Sequence, residues 1–205
     1  MTLPIVVFFA AVLIPLLFGS PRTAPFWLGL QGLALAAASL GQHDDWSLHA
    51  GFTVAELGLL RGLIAPLILR AATTRARELP EHLLPSNLLA WSLAIAVAVF
   101  GFEFALSTTT LGAAFGVGTV AACVTLSMFL LATNDALPAQ LFAVLILENG
   151  AALLETFQGE PWPPLLHGVL AVLYLLTVSV SGWIMAHAAS EPAASTADAS
   201  PEQAP

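Results

Sequence analysis

Two charged residues lie near the middle of long apolar stretches of this sequence, where they could bind or move ions. Glu148, followed by Asn149, falls within AQLFAVLILENGAALLETF at 139–157, and Arg61 falls within GFTVAELGLLRGLIAPLILR at 51–70. An ionised side chain at the centre of a membrane-spanning helix costs about 2.5 to 3.5 kcal/mol on insertion scales, so such residues usually serve a function. Glu148 is therefore a candidate site for a proton or cation. The alternative is a protonated or paired glutamate that only holds helices together.

Arg61 needs a partner inside the membrane. From mid-helix its guanidinium would have to travel about 15 Å to reach water, so we do not expect it to snorkel. Glu148 lies at the same nominal depth in its own helix, and an Arg61–Glu148 pair would let the position of the arginine change the proton affinity of the carboxylate. Glu56 precedes Arg61 by five positions. That is not a same-face spacing on an α-helix, and we expect these two side chains to have different neighbours.

Four other polar residues in the apolar stretches are candidates for a role in the site or in helix packing. Glu155 follows Glu148 by seven positions, which places both on one helix face two turns apart. Glu103 lies about one turn from the end of its stretch and is either an interfacial carboxylate or a functional one. His167, in the first turn of the last stretch, is either a hydrogen-bonded interfacial residue or a proton relay. Gln31 is expected to hydrogen-bond between helices.

Together these residues predict a chain of titratable groups at mid-depth in a membrane. Protons cross membranes along alternating acidic, basic and water sites. The candidate proton-path residues are Glu148, Glu56, Glu103, Glu155 and His167, with Arg61 and Asn149 as charge partners.

The composition predicts an integral membrane protein. Of 205 residues, 58% are hydrophobic and only 9% are charged, whereas a soluble domain has about a quarter charged. The net charge of −8 argues against nucleic acid as a partner. The single cysteine, Cys123, gives no disulfide framework, and no metal or nucleotide motif is found, so we expect no cofactor.

The apolar stretches predict an all-α polytopic fold of about seven transmembrane helices. They form one transmembrane domain, 1–189, followed by an Ala-, Ser- and Pro-rich acidic tail, 190–205, that is predicted to be disordered. The predicted spans are 3–18, 25–41, 51–70, 87–106, 111–132, 139–157 and 165–188.

The basic residues predict the orientation. The chain has five arginines and no lysine. Apart from Arg61, they follow the first span (Arg22) or the third (Arg70, Arg75 and Arg77), and connections after odd-numbered spans share one side of the membrane. Because basic residues favour the cytoplasmic side, we expect the N-terminus outside and the C-terminus inside.

Several stretches resemble component E of hydrogenase-4 and formate hydrogenlyase-like membrane complexes. The matching pieces are LQGLALAAASL, LLRGLIAPLILRAATTRARELPE and ILENGAALL, with a looser match at HGVLAVLYLL. The resemblance covers about residues 25 to 188. Its most specific feature is a basic residue five positions before a proline, combined with a later Glu-Asn-Gly after an apolar run.

The resemblance implies a role in a larger assembly. Such subunits are related to the small K-type subunit of complex I and the C-type subunit of multisubunit cation/proton antiporters, and they lie beside large antiporter-like subunits. In that pattern Arg61 takes the place of a mid-helix lysine and Glu148 that of a buried glutamate. The chain departs from the pattern because arginine does not readily lose its proton, and because His167 stands where an acidic residue is expected. TNDALPAQ also lacks the basic residues expected of relatives.

Three functional hypotheses follow. The first is a membrane-arm subunit of a hydrogenase- or complex I-like assembly that contributes buried charges to a proton or cation path. The second is a structural clamp that packs against antiporter-like subunits. The third is a stand-alone small transporter, although no internal repeat or pair of broken helices supports it. We expect a non-catalytic subunit of an oxidoreductase complex, rather than an enzyme on its own, in the cell inner (plasma) membrane, with the lipid bilayer and other subunits as partners.

Overall fold

The chain folds as a bundle of helices. The computed structural model describes residues 2–41, 48–75, 82–84, 88–108, 111–157 and 163–188, and within these ranges the chain is all-helical and contains no β-strand. The predicted disordered tail, 190–205, lies outside the described residues. In chain order the α-helices are α1 (Thr2–Phe18), α2 (Ala24–Leu40), α3 (Leu48–Ala55), α4 (Ala65–Arg75), α5 (Leu88–Thr108), α6 (Leu111–Thr133), α7 (Leu137–Phe157) and α8 (Pro164–Ala188).

A π-helix, Glu56–Ile64, joins α3 to α4 without a break, and we call the continuous element the third helix. In a π-helix each N–H bonds the carbonyl five residues earlier, and the N–H of Ala65 does bond the carbonyl oxygen of Leu60. Pro66 follows directly. Because proline has no N–H, the usual α-helical bond to the carbonyl of Gly62 is absent. The π-helical hydrogen bonds therefore lie next to a position where one α-helical hydrogen bond is already missing.

Five helices are long and apolar enough to cross a membrane: the third helix over Ala50–Arg75, α5, α6, α7 and α8. The chain is therefore a multi-pass membrane protein. The helices α1 and α2 are apolar but have 17 residues each, which corresponds to about 26 Å against a hydrocarbon core of roughly 30 Å. The third helix continues to Arg75, five residues beyond the end of the span predicted at 51–70.

Three connections meet at one end of the bundle. The N–H of Leu83 donates to the carbonyl oxygen of Gly19 at 3.3 Å, and the side-chain amide of Asn134 donates to the carbonyl oxygen of Leu83 at 2.7 Å. The residues that follow α1, α4 and α6 thus lie together.

The helix α7 lies in the interior of the bundle, packed against α2, α6 and α8. Its side chains Leu145, Ile146, Asn149 and Leu153 are completely buried. An asparagine among such neighbours requires hydrogen-bond partners from the other helices, because an unpaired buried amide is costly.

The third helix and α2 run antiparallel in very close contact. A Cβ atom on Gly32 would collide with the backbone of Arg61 and Gly62, so only glycine permits this approach. This contact holds the π-helix against α2 at Arg61, whose side chain is buried.

Candidate functional site

Arg61 is the centre of a buried polar cluster. Its side chain is only 5% exposed, and its Nε donates to Oε1 of Glu56 at 3.0 Å. Its Nη1 donates to the backbone carbonyl of Glu148 at 3.3 Å and to Oδ1 of Asn149 at 3.2 Å. The guanidinium carbon also lies 4.3 Å from the ring centroid of the buried Tyr174, within the range of a cation–π contact. One arginine thus connects the third helix to α7 and α8.

The prediction that Glu56 and Arg61 have different neighbours is wrong. The two side chains form a direct ion pair, because the intervening backbone is π-helical. With hydrogen bonds spanning five residues instead of four, positions five apart lie above each other on one face. In an α-helix, residues five positions apart lie on different faces, and the prediction took the whole third helix to be α-helical.

The predicted contact between Arg61 and Glu148 is present, but not through the predicted group. Arg61 binds the main-chain carbonyl of Glu148, and no ion pair joins the guanidinium to the Glu148 carboxylate within the described part of the chain. The carboxylate instead accepts a hydrogen bond from Oγ1 of Thr177 on α8 at 3.3 Å. Its second oxygen is buried and has no hydrogen-bond partner among the described residues.

Asn149 extends the cluster to α2 and α1. Its side-chain nitrogen donates to Oε1 of Gln31 at 3.0 Å, and Nε2 of Gln31 donates to the carbonyl oxygen of Ala11 at 3.1 Å. Both amide side chains are completely buried. This confirms the prediction that Gln31 hydrogen-bonds between helices. We call the set formed by Arg61, Asn149 and Gln31 the brace.

His167 lies between two carboxylates. Its Nδ1 is 3.2 Å from both carboxylate oxygens of Glu155, and its Nε2 is 3.6 Å from Oε2 of Glu56. The three side chains are 10 to 16% exposed. An imidazole with an acidic group at each ring nitrogen has the geometry needed to take up a proton at one nitrogen and release it at the other.

A cavity of about 80 Å³ lies beside these groups. A water molecule needs roughly 10 to 15 Å³, so this cavity has room for several. Glu148 and Glu155 both line it, as their seven-residue spacing on α7 predicts. We call Glu148, Glu155 and His167, with the space between them, the titratable cavity. The described residues that line it are Arg61, Glu148, Ala151, Ala152, Glu155, His167, Leu170 and Leu173.

Glu103 does not join the cluster. It is exposed on α5, which packs mainly against α6, and it makes no hydrogen bond or ion pair with the cluster residues in the described part of the chain. The structure thus brings together Glu56, Glu148, Glu155 and His167 with Arg61 and Asn149, and leaves Glu103 apart.

Sequence reasoning missed two members of the site, Thr177 and Tyr174. Both lie on α8, three residues apart, in a stretch whose apolar residues carry no visible helical period. The sequence could have indicated these two residues only through their polar groups, which must find hydrogen-bond partners inside a membrane.

Among the described residues, no group of three or more His, Cys, Asp or Glu side chains is arranged to hold a metal ion. A scan against protein-family models, a search of curated proteins and a search of solved structures found no match to this chain. The function is therefore argued from the geometry of the site.

Proposed function

We propose that this chain is a membrane-arm subunit of a hydrogenase- or complex I-like assembly, and that its polar cluster forms part of a proton (or cation) path. One observation carries the proposal: two carboxylates, a histidine and an arginine from three helices line a cavity with room for several water molecules within the membrane-spanning part of the bundle. A third carboxylate, that of Glu56, pairs with the arginine and lies 3.6 Å from the histidine. Buried ionisable groups are costly in such a place and are usually functional.

In this proposal Arg61 is a fixed positive charge. An arginine keeps its proton under all physiological conditions, so it influences neighbouring groups without relaying protons itself. Its field acts on Glu56, with which it is in contact, and on Glu148, whose carbonyl it binds. A small displacement of the guanidinium would therefore change how readily the Glu148 carboxylate takes up a proton.

The proposed relay runs along the titratable cavity. Glu148 exchanges a proton with water in the cavity, and the water exchanges it with Glu155 or His167. His167 then passes it to Glu56, which faces its other ring nitrogen. The 3.2 Å contact between His167 and Glu155 is a hydrogen bond and supports direct transfer. The 3.6 Å between Nε2 of His167 and Oε2 of Glu56 exceeds hydrogen-bond length, so transfer to Glu56 requires the two side chains to move closer together.

We further propose that the chain crosses the membrane seven times, with its N-terminus outside. Helices α1 and α2 are a few ångströms short, a mismatch that local thinning of the bilayer accommodates at modest cost. Support comes from the meeting of Gly19, Leu83 and Asn134 at one end, since connections after odd-numbered spans must share a side. Single cysteines at Ser20 and Asp135 should then react with an impermeant reagent from the cytoplasmic side only.

The structural clamp remains the second candidate, because one observation favours it. The brace satisfies the polar atoms of Arg61, Asn149 and Gln31 with protein groups, as a purely structural network would. The clamp hypothesis gives no reason for the cavity, or for a Glu148 carboxylate oxygen that has no donor among the described residues.

The test is ion pumping by inverted membrane vesicles that contain the whole complex, with Glu148→Gln compared to the wild type after equal assembly is verified on a native gel. Glutamine keeps the shape and the acceptor for Thr177 but does not titrate. We expect pumping to collapse while assembly is unchanged, and we expect Glu103→Gln, the matched control outside the cluster, to pump normally. Undiminished pumping by Glu148→Gln would support the clamp instead.

A further inference from the structure

A second feature, unrelated to the polar cluster, is a groove of about 580 Å³ on the outer face of the bundle between α2 and the third helix. Its floor is formed by small residues. A Cβ atom on Gly29 would lie 3.0 Å from the carbonyl oxygen of Gly62 and 3.1 Å from the ring of Pro66. The two helices therefore approach closely at the floor while the larger side chains beside it stand apart.

The walls of the groove are apolar along most of its length. Leu33, Leu63 and Leu67 line it, and each is more than half exposed. Within α2 the lining runs from Pro25 to Leu33, and within the third helix from Gly62 to Arg70, about 12 Å on each at a helical rise of 1.5 Å per residue. The groove thus extends over most of one lipid leaflet, which is half of the roughly 30 Å hydrocarbon core.

One end of the groove is cationic. Arg22 and Arg70 line this end, both are exposed, and neither forms an ion pair within the described ranges. No aspartate or glutamate of the described ranges lines the groove. Trp27 and Phe26 lie at the same end, where aromatic rings usually mark the membrane interface. Two guanidinium groups without an acidic partner among the described residues are unusual in a chain of net charge −8 and call for an anionic partner.

We propose that this groove binds one anionic phospholipid. Its phosphate lies between the two arginines, and an acyl chain follows the leucine-lined walls. The amphiphile fits because the charge is confined to one end and the apolar walls extend from that end through most of one leaflet. Basic pockets between membrane helices recognise anionic headgroups in this way, and arginine binds phosphate oxygens in a bidentate manner. The proposal is independent of any role in proton transfer.

The test is native mass spectrometry of the purified chain in detergent, titrated with dioleoyl-phosphatidylglycerol or dioleoyl-phosphatidylcholine. We expect the wild type to retain the anionic lipid preferentially. Arg22→Gln and Arg70→Gln should each weaken its binding about fivefold, and the double variant on the order of 25-fold. Arg75→Gln is the matched control, because Arg75 is exposed on the same helix as Arg70 but does not line the groove. It should change binding less than twofold.

Two further measurements distinguish binding of a whole lipid from binding of its phosphate group alone. Inorganic phosphate at millimolar concentration should not displace the lipid, because it lacks the acyl chain. Leu63→Trp, which fills the apolar half without changing the charge, should weaken binding of the anionic lipid. The proposal is overturned if both lipids bind equally, if Arg75→Gln weakens binding as much as Arg22→Gln, if phosphate displaces the lipid, or if Leu63→Trp has no effect.

Discussion

Arg61 belongs to the brace and also lines the titratable cavity, but the two regions differ in how their polar atoms are hydrogen-bonded. In the brace, Arg61, Asn149 and Gln31 bond to one another and to backbone carbonyls, and the two amide side chains are completely buried. In the cavity, Glu148 has one oxygen bonded to Thr177 and the other without a partner among the described residues, beside space for water.

This difference separates a part that holds helices from a part that can change its protonation. A buried network in which every member is bonded is rigid, and removing one member leaves the others unpaired. A carboxylate that faces water on one side gains or loses a proton without breaking a protein contact. The comparison therefore predicts that changes in the brace reduce stability, whereas changes in the cavity reduce ion transfer and leave the fold intact.

The largest effect should come from Arg61→Ala. This change leaves the Glu56 carboxylate buried without its cation and deprives Asn149 and the Glu148 carbonyl of a donor. Breaking a buried ion pair in this way costs about 3 to 5 kcal/mol. The free energy of unfolding in detergent should fall by that amount, while Arg75→Gln, at an exposed position on the same helix, should stay within about 0.5 kcal/mol of the wild type. Equal stability of the two variants would contradict the role of the brace.

A smaller loss is expected for Gly32→Ala. The added methyl group would overlap the backbone at Arg61 and Gly62, and overpacking of this kind costs about 1 to 3 kcal/mol. Gly58→Ala is the matched control, because its Cβ would meet only the Cβ of Ala36 at 3.5 Å, an ordinary contact. Thermal unfolding of the two variants in the same detergent checks this expectation. If Gly58→Ala is the less stable, the close approach of α2 does not position the brace.

The smallest change in stability is expected for His167→Gln. Glutamine retains hydrogen bonding toward Glu155 but has no titratable group, so unfolding should shift by less than about 1 kcal/mol. Pumping in vesicles should nevertheless fall at least tenfold, since the proposed relay passes through the imidazole. A loss of stability comparable to that of Arg61→Ala, with pumping retained in the assembled fraction, would place His167 in the brace.

Sequence patterns predicted the elements of this fold better than the contacts between them. The apolar stretches gave the helices, and the seven-residue spacing of Glu148 and Glu155 correctly placed both on one face. The pairing of Arg61 with Glu56 was missed because hydropathy carries no information about the π register. The similar depths of Glu148 and Arg61 in their helices predicted that the two residues are in contact. Which atoms of Glu148 face Arg61 depends on how α7 is rotated about its axis, and helix packing sets that rotation so that the carbonyl, and not the carboxylate, makes the contact.

Infrared difference spectra of the isolated chain, recorded between acidic and basic buffer, show whether Glu148 exchanges a proton, because the carboxyl C=O stretch reports the protonation of buried carboxyl groups. We expect a carboxyl band in the wild type that is lost in Glu148→Gln and retained in Glu103→Gln, with both variants fully folded. If the spectrum of Glu148→Gln is identical to that of the wild type, Glu148 keeps one protonation state throughout and does not exchange a proton.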